Sequence, residues 1–233
     1  MKTLYGVLAP YSGKIKRALV IFVFLFAGCN QKQTREVDST PIEKLTKGNK
    51  RFVSGYAVHP DETIERIKEL KEKQNPFAIV VSCSDSRVPP ELVFDQGLGD
   101  LFVIRTAGNV IGDFELGSIE YAIEHLHCKL IVVLGHENCG AIEAFINSGE
   151  NVRNDHIGDI IGYLKSEPEQ KELLDSMKNS YYAVRANVLY GMRLLKTSNP
   201  VLSPLYQKKE FEILGAVYDL DNGKVEMIDD KTN

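Results

Sequence analysis

Tryptophan is absent from the 233 residues, which excludes nothing, but three other shortages narrow the possibilities. Cysteine is scarce: there are four, Cys29, Cys83, Cys128 and Cys139, and no two are spaced as Cys-x-x-Cys. They do not read as a disulfide framework, and the paired thiols of a redox module are missing. Long apolar runs are lacking near the start, where Ala18 to Ala27 gives only ten residues, too few to cross a bilayer. Positive charge is short as well, with 28 Lys and Arg against 32 Asp and Glu. Lys2, Lys14, Lys16 and Arg17 all fall in residues 1–28, which hold no acid; 28 less these four leaves 24 positive against 32 negative, net −8, in the remainder. That balance argues against nucleic acid or an anionic membrane surface as partner.

What is present divides in two. Lys14, Lys16 and Arg17 precede the ten-residue apolar stretch as the basic region of an export signal precedes its hydrophobic core. Phe26-Ala27-Gly28-Cys29 follows, and small residues before a Cys resemble a bacterial lipobox, with Phe26 where Leu is the usual residue. The resemblance implies a lipoprotein signal over 1–28, acylation of Cys29, and a flexible tether over 29–40. It also implies export to the periplasmic side, on a lipid anchor in a bacterial membrane, the outer one being expected. The acyl chain, rather than charge, would then hold the protein to the membrane.

Residues 41–233, with 43% hydrophobic and 26% charged content over the whole chain, suit one domain with a sizeable core. Short β-branched runs at 77–82, 101–105 and 129–134 read as buried strands. Helices are expected at 41–56, 61–73, 115–127, 139–146, 155–165 and 180–196. Ile64, Ile67 and Leu70 mark the second of these, and Val184, Val188, Met192 and Leu195 the last. A strand at 211–218 turns through Asp221-Asn222-Gly223 into 224–228, a hairpin signal. The alternation predicts an α/β fold with a mostly parallel central sheet flanked by helices and closed by a C-terminal β-hairpin.

Two segments carry chemistry. Cys83-Ser84-Asp85-Ser86-Arg87 follows the first strand, and His136-Glu137-Asn138-Cys139 follows the third. Ligands of parallel sheets sit beyond the carboxyl ends of strands. There, two thiolates and an imidazole make a soft site for one zinc per chain with its fourth position open to water. Zinc-bound hydroxide is then the expected nucleophile. Cys139 at a helix start gains thiolate character from the helix dipole. Asp85 and Arg87 can pair in a tight loop, either as a plain loop-fixing bridge or so that Arg87 aims an ionised Asp85. Asp85 could accept a hydrogen bond from zinc-bound hydroxide or swing in as a fourth ligand. Two thiolates neutralise the ion's charge, so the bound water should have a higher pKa than the ~7 of a three-imidazole zinc, and activity should rise toward alkaline pH. Cys128 reads as a small buried thiol. The other histidines, His59, His125, His127 and His156, read as loop or helix-end residues.

These residues resemble the β-class carbonic anhydrases. The match rests on Cys83-Ser84-Asp85-Ser86-Arg87 with His136-Glu137-Asn138-Cys139-Gly140, and spans about 41–228. Gly48-Asn49-Lys50-Arg51-Phe52, Ala107-Gly108-Asn109 and Gly117-Ser118-Ile119-Glu120-Tyr121-Ala122 support it. The resemblance implies reversible hydration of CO₂ to bicarbonate, with Cys83, His136 and Cys139 on zinc and Asp85 with Arg87 as a dyad. It implies the plant-like subgroup, with Gln74, Phe102 and Tyr121 lining the pocket and the backbone near Gly140 orienting CO₂. It further implies a homodimer or a multiple of dimers, the site at the interface and the N-terminal helices packed on the partner. One rival is the same fold acting on COS or CS₂. Another is a non-catalytic zinc or thiol module, against which the Asp85/Arg87 pair speaks.

Overall fold

A computed structural model of the chain describes residues 39–149, 153–168 and 179–228. The expected signal, Cys29 and the tether as far as residue 38 lie outside them. Thr40, assigned above to the tether, instead caps the first helix. Its hydroxyl accepts from the Glu43 N–H, and its own N–H donates to the Glu43 carboxylate at 3.0 Å, a capping box.

That helix is α1 (Pro41–Val53), followed by a short α2 (Ile64–Leu70). Strand β1 (Ala78–Cys83), α3 (Pro90–Val93) and β2 (Leu101–Thr106) come next. After a 3₁₀ turn (Ala107–Asn109) follow α4 (Asp113–Glu124), β3 (Leu130–His136), α5 (Gly140–Asn147) and α6 (His156–Ser166). Then come α7 (Ser180–Thr197), α8 (Leu202–Gln207), β4 (Glu212–Tyr218) and β5 (Val225–Ile228). The strands form one sheet in the order β2-β1-β3-β4-β5, parallel except for the β4–β5 hairpin.

Both faces of the sheet are covered, which is why β1 and β3 read as unbroken apolar runs rather than alternating ones. Ile79, Val81, Ile131 and Val133 face α4, α5, α6 and α7 through Ile119, Ile142, Leu164 and Val188. Ala78, Val80, Val132 and Leu134 face the other way, onto Leu45 of α1, Val93 and Phe94. Asn49 of α1 donates to Val93 O and Gly223 O and accepts from Val225 N–H, tying the helix to the hairpin. Helix α7 lies close on the end of β3 because Gly135 has no side chain. A Cβ there would stand 2.7 Å from Val188 Cγ2.

Four elements depart from expectation. Strand β3 runs two residues past 134 and ends on His136, so that residue is held by the ladder. Helix α2 is shorter than 61–73, and Ile64 and Ile67 are 62% and 53% exposed, because none of the described residues covers that part of its apolar stripe. Helices α3 and α8 are too short to show a period in the sequence. Among the described residues, no helix is long and apolar enough to cross a membrane.

Candidate metal centre

Strands β1 and β3 are parallel neighbours, with Ser82 opposite Leu134. Cys83, the last residue of β1, and His136, the last of β3, therefore arrive at the same edge of the sheet. Three residues later Cys139 occupies the N-cap of α5. The turn between them is made by Asn138 in the left-handed region, φ +50°. The Cys139 sulfur makes no capping bond; it joins the other two donors. The donor atoms of Cys83, His136 and Cys139 all lie within 4.8 Å of one another, and all three residues are buried.

The charges are arranged for a cation. The Cys83 sulfur accepts N–H from Asp85 at 3.4 Å and from Gly108 at 3.3 Å. The neighbouring Cys139 thiol holds Cys83 far below an ordinary thiol, while Cys83 and burial push Cys139 up. His136 Nδ1 donates to the Glu137 carbonyl oxygen at 2.8 Å, which leaves Nε2 as the free ligand atom. That nitrogen is buried without a hydrogen-bond partner. A buried imidazole nitrogen left bare beside two sulfurs is what a metal ligand looks like, with its other nitrogen already fixed on a carbonyl. Burial lowers the basicity of His136, but the Cys83 thiolate, the Glu137 carbonyl and Asp85 together outweigh it, so the net shift is upward. The residues present thus fit zinc.

Asp85 sits at the edge of this group, with Oδ2 3.9 Å from His136 Nε2. Arg87 grips it in bidentate fashion, Nε on Oδ1 at 2.9 Å and Nη2 on Oδ2 at 2.7 Å, and its backbone N–H adds a third bond. These bonds hold the carboxyl of Asp85 well below the usual carboxylate range. Arg87 Nη2 also reaches the Asn138 carbonyl at 3.2 Å, joining the two ligand loops. Arg105, which the motifs do not reveal, clamps the first loop from β2: it donates to the carbonyls of Cys83 at 2.9 Å and Asp85 at 2.7 Å. The only sequence sign of it is a cation at the end of the apolar run Leu101–Ile104.

The pocket residues scatter. Gly140 opens α5 beside Cys139, and nothing lies within 4 Å of where a side chain would project. Phe102 pairs in register with Ile79, four positions before the Cys83–Thr106 pair, roughly 13 Å away along the strands. Its ring meets Tyr121 at 6.3 Å, and Tyr121, 47% exposed, lies 5.2 Å from His125. Gln74 is exposed in the segment before β1. The structure therefore brings Cys83, Asp85, Arg87, His136, Cys139 and Gly140 together, and puts Gln74, Phe102 and Tyr121 elsewhere.

Comparison with known proteins agrees with this geometry. A family model described as carbonic anhydrase matches residues 78–225. A carbonic anhydrase of Mycolicibacterium smegmatis is 52% identical over 114 residues, 48% of this chain and 55% of that protein, so the match spans just over half its length. Carbonic anhydrase 2 of Mycobacterium tuberculosis is 36% identical over 192 residues, 79% of this chain and 90% of that one. Among solved structures, the β-carbonic anhydrase CcaA is 28% identical, with TM-score 0.64 over 81% of this chain and 95% of that chain. A structure from the study of two tetrameric β-carbonic anhydrases of Sordaria macrospora is 27% identical, with TM-score 0.61 over 75% of this chain and 90% of that one.

Proposed function

The chain belongs to the β-class carbonic anhydrase family, and on that footing we propose a zinc-dependent enzyme that hydrates CO₂ reversibly to bicarbonate and a proton. The observation that carries the reading is the buried set of Cys83, His136 and Cys139 donors within 4.8 Å, with His136 Nε2 buried without a hydrogen-bond partner. A zinc ion held there would supply a Lewis acid with an open fourth position that activates water for attack on the carbon of CO₂. Asp85, kept ionised and aimed by Arg87, accepts the hydrogen bond of the attacking water. Arg87 also restrains the carboxylate from turning onto the metal and closing the site. The open start of α5 at Gly140 offers backbone N–H groups to a CO₂ oxygen.

The substrate side of the pocket comes from a second copy. Strand β2 is an edge of the sheet, and Leu101, Phe102 and Val103 are only half-buried. An apolar edge of this kind is a template for pairing. Antiparallel pairing of two β2 strands sets the amino end of one sheet beside the carboxyl end of the other. Phe102, Tyr121 and Gln74 of one copy then approach the metal of its partner, in the manner of the plant-like subgroup. The bare stripe of α2, Ile64 and Ile67, packs on the same partner. The similarity to tetrameric relatives supports a dimer or a multiple of dimers. Lys14 to Cys29 support an exported protein on the periplasmic side, lipid-anchored at Cys29 to a bacterial membrane, the outer one being expected. Labelling with a fatty acid should be lost in Cys29→Ser.

The primary test is zinc content with stopped-flow CO₂ hydration near pH 7 and pH 8.5. About one zinc per chain and faster hydration at the higher pH are expected. Zinc without hydration at either pH overturns the assignment of CO₂ and points to COS or CS₂.

A further inference from the structure

Helix α7 buries Ala183, Val184, Ala186, Val188, Gly191, Met192 and Leu195 against the sheet, and among them one carboxamide, Asn187, 2% exposed. A polar group so placed is retained for a bond it makes. Asn187 Nδ2 donates to the Gly108 carbonyl at 2.7 Å, across 79 residues of sequence. Gly108 lies in the 3₁₀ turn after β2, and its N–H is one of two that reach the Cys83 sulfur. The turn cannot hold itself in that pose by ordinary helical geometry. Gly108 has φ +69° and the next residue, Asn109, φ +45°, two left-handed residues in a row. A side chain at 108 would meet Ala141 Cβ at 2.9 Å, so the glycine is pressed against the helix that begins after Cys139. Glycine is the most freely rotating residue in a chain, and an outside anchor fixes it.

We infer that Asn187 is a positioning residue of the metal centre, holding the Ala107–Asn109 turn so that the Gly108 N–H stays on the Cys83 sulfur. The inference rests on the zinc reading and deepens it. An N–H···S bond withdraws electron density from the thiolate and so sets how much charge Cys83 gives the metal. With two thiolates on one ion, that relief counts toward keeping zinc acidic enough to activate water. Asn187 never touches substrate; it acts through Gly108 on Cys83.

The test uses the full-length protein loaded with zinc, cobalt(II) or ¹¹³Cd, as wild type and as Asn187→Leu. In the variant, zinc affinity measured by chelator competition should fall about 10- to 100-fold. The sulfur-to-cobalt charge-transfer band should move to lower energy, because a thiolate that has lost a hydrogen bond is easier to oxidise. In the wild-type ¹¹³Cd protein, NMR should show coupling between the metal and the Gly108 amide proton, carried through the hydrogen bond, and the variant should lack it. A variant that melts earlier but keeps its band position has lost only packing, and overturns the inference. Should Asn187→Leu fail to fold, the wild-type spectrum still decides: cadmium coupling to Asp85 but none to Gly108 overturns it. Wild-type protein that takes up no metal overturns the zinc reading and this inference together; metal uptake with an unmoved band overturns this inference alone.

Discussion

The carboxyl end of β1 and β3 and the outer edge at β2 are built on opposite terms. At the first, one chain supplies everything. Arg87, Arg105, the Gly108 N–H and the Glu137 carbonyl fix each donor or its loop, and His136 Nε2, buried without a hydrogen-bond partner, is the atom a metal would take. At the second, the described residues leave the work undone: a strand edge they do not pair, a half-buried Phe102 against an exposed Tyr121, and an α2 stripe with Ile64 and Ile67 exposed. On the proposed function, the contrast separates metal binding, which would be intrachain, from substrate binding, which would need a second copy. Variants at the two regions should therefore fail in different ways.

The largest effect is expected at the metal end. His136→Ala or Cys139→Ala should abolish stoichiometric zinc, by atomic absorption, and hydration with it. A three-donor site reduced to two has no means of holding the ion against solvent. Asp85→Ala should keep its zinc and lose turnover by about 10²–10⁴-fold, the usual range for a positioned proton acceptor. Loss of zinc in Asp85→Ala would make Asp85 a ligand instead.

The pH dependence follows from the same end. Because Asp85 is depressed by Arg87, its pairing contributes stability in full above the unfolded value of ~3.9 and is lost only as pH falls through its lower folded value. It therefore stays ionised across pH 6 to 9 and cannot shape the rate there. The electron-rich Cys₂His donor set should instead make hydration climb through that range, up to about tenfold per unit, on a zinc whose bound water has a pKa above ~7. A flat profile would contradict the charge argument.

How far the sequence reveals each region follows from the same division. β1 and β3 are legible because burial on both faces makes them continuous apolar runs, and the donors are legible because each stands within five residues of such a run's end. The hairpin is legible from Asp221-Asn222-Gly223. Asn187 was visible too, three residues after Val184 on an apolar face, but a lone polar residue there does not announce its partner 79 positions away. Arg105 is hidden for the same reason: its bonds run across the β1–β2 register. The period of α2 is real, yet sequence cannot say that Ile64 and Ile67 stay exposed. The spacing of Gln74, Phe102 and Tyr121 likewise carries the resemblance without carrying the symmetry that would bring them to a metal.

At the edge, Val103→Lys should convert the proposed dimer to a monomer in sedimentation, since a charge on a strand edge opposes pairing. Zinc should remain at wild-type stoichiometry while hydration falls on the order of a hundredfold, the cost of misplacing substrate-positioning groups. Loss of zinc in this variant would break the separation of the two regions.

The smallest effect gives the sharpest test. Phe102→Ala removes one apolar contact, worth about 1–3 kcal/mol or roughly 10- to 200-fold in rate, and alone it does not say whose metal Phe102 serves. Mixed dimers do. Pair a Cys139→Ala chain, which holds no zinc but keeps Phe102, with a Phe102→Ala chain, which holds zinc but lacks the ring. If Phe102 serves its partner, the one metal in the mixed dimer faces an intact ring, and each dimer regains about half the wild-type rate, as one of two sites is whole. If Phe102 serves its own chain, that same metal faces the defect, and the mixture is no faster than Phe102→Ala. The roughly 13 Å between Phe102 and the Cys83 level of its own strand favours recovery.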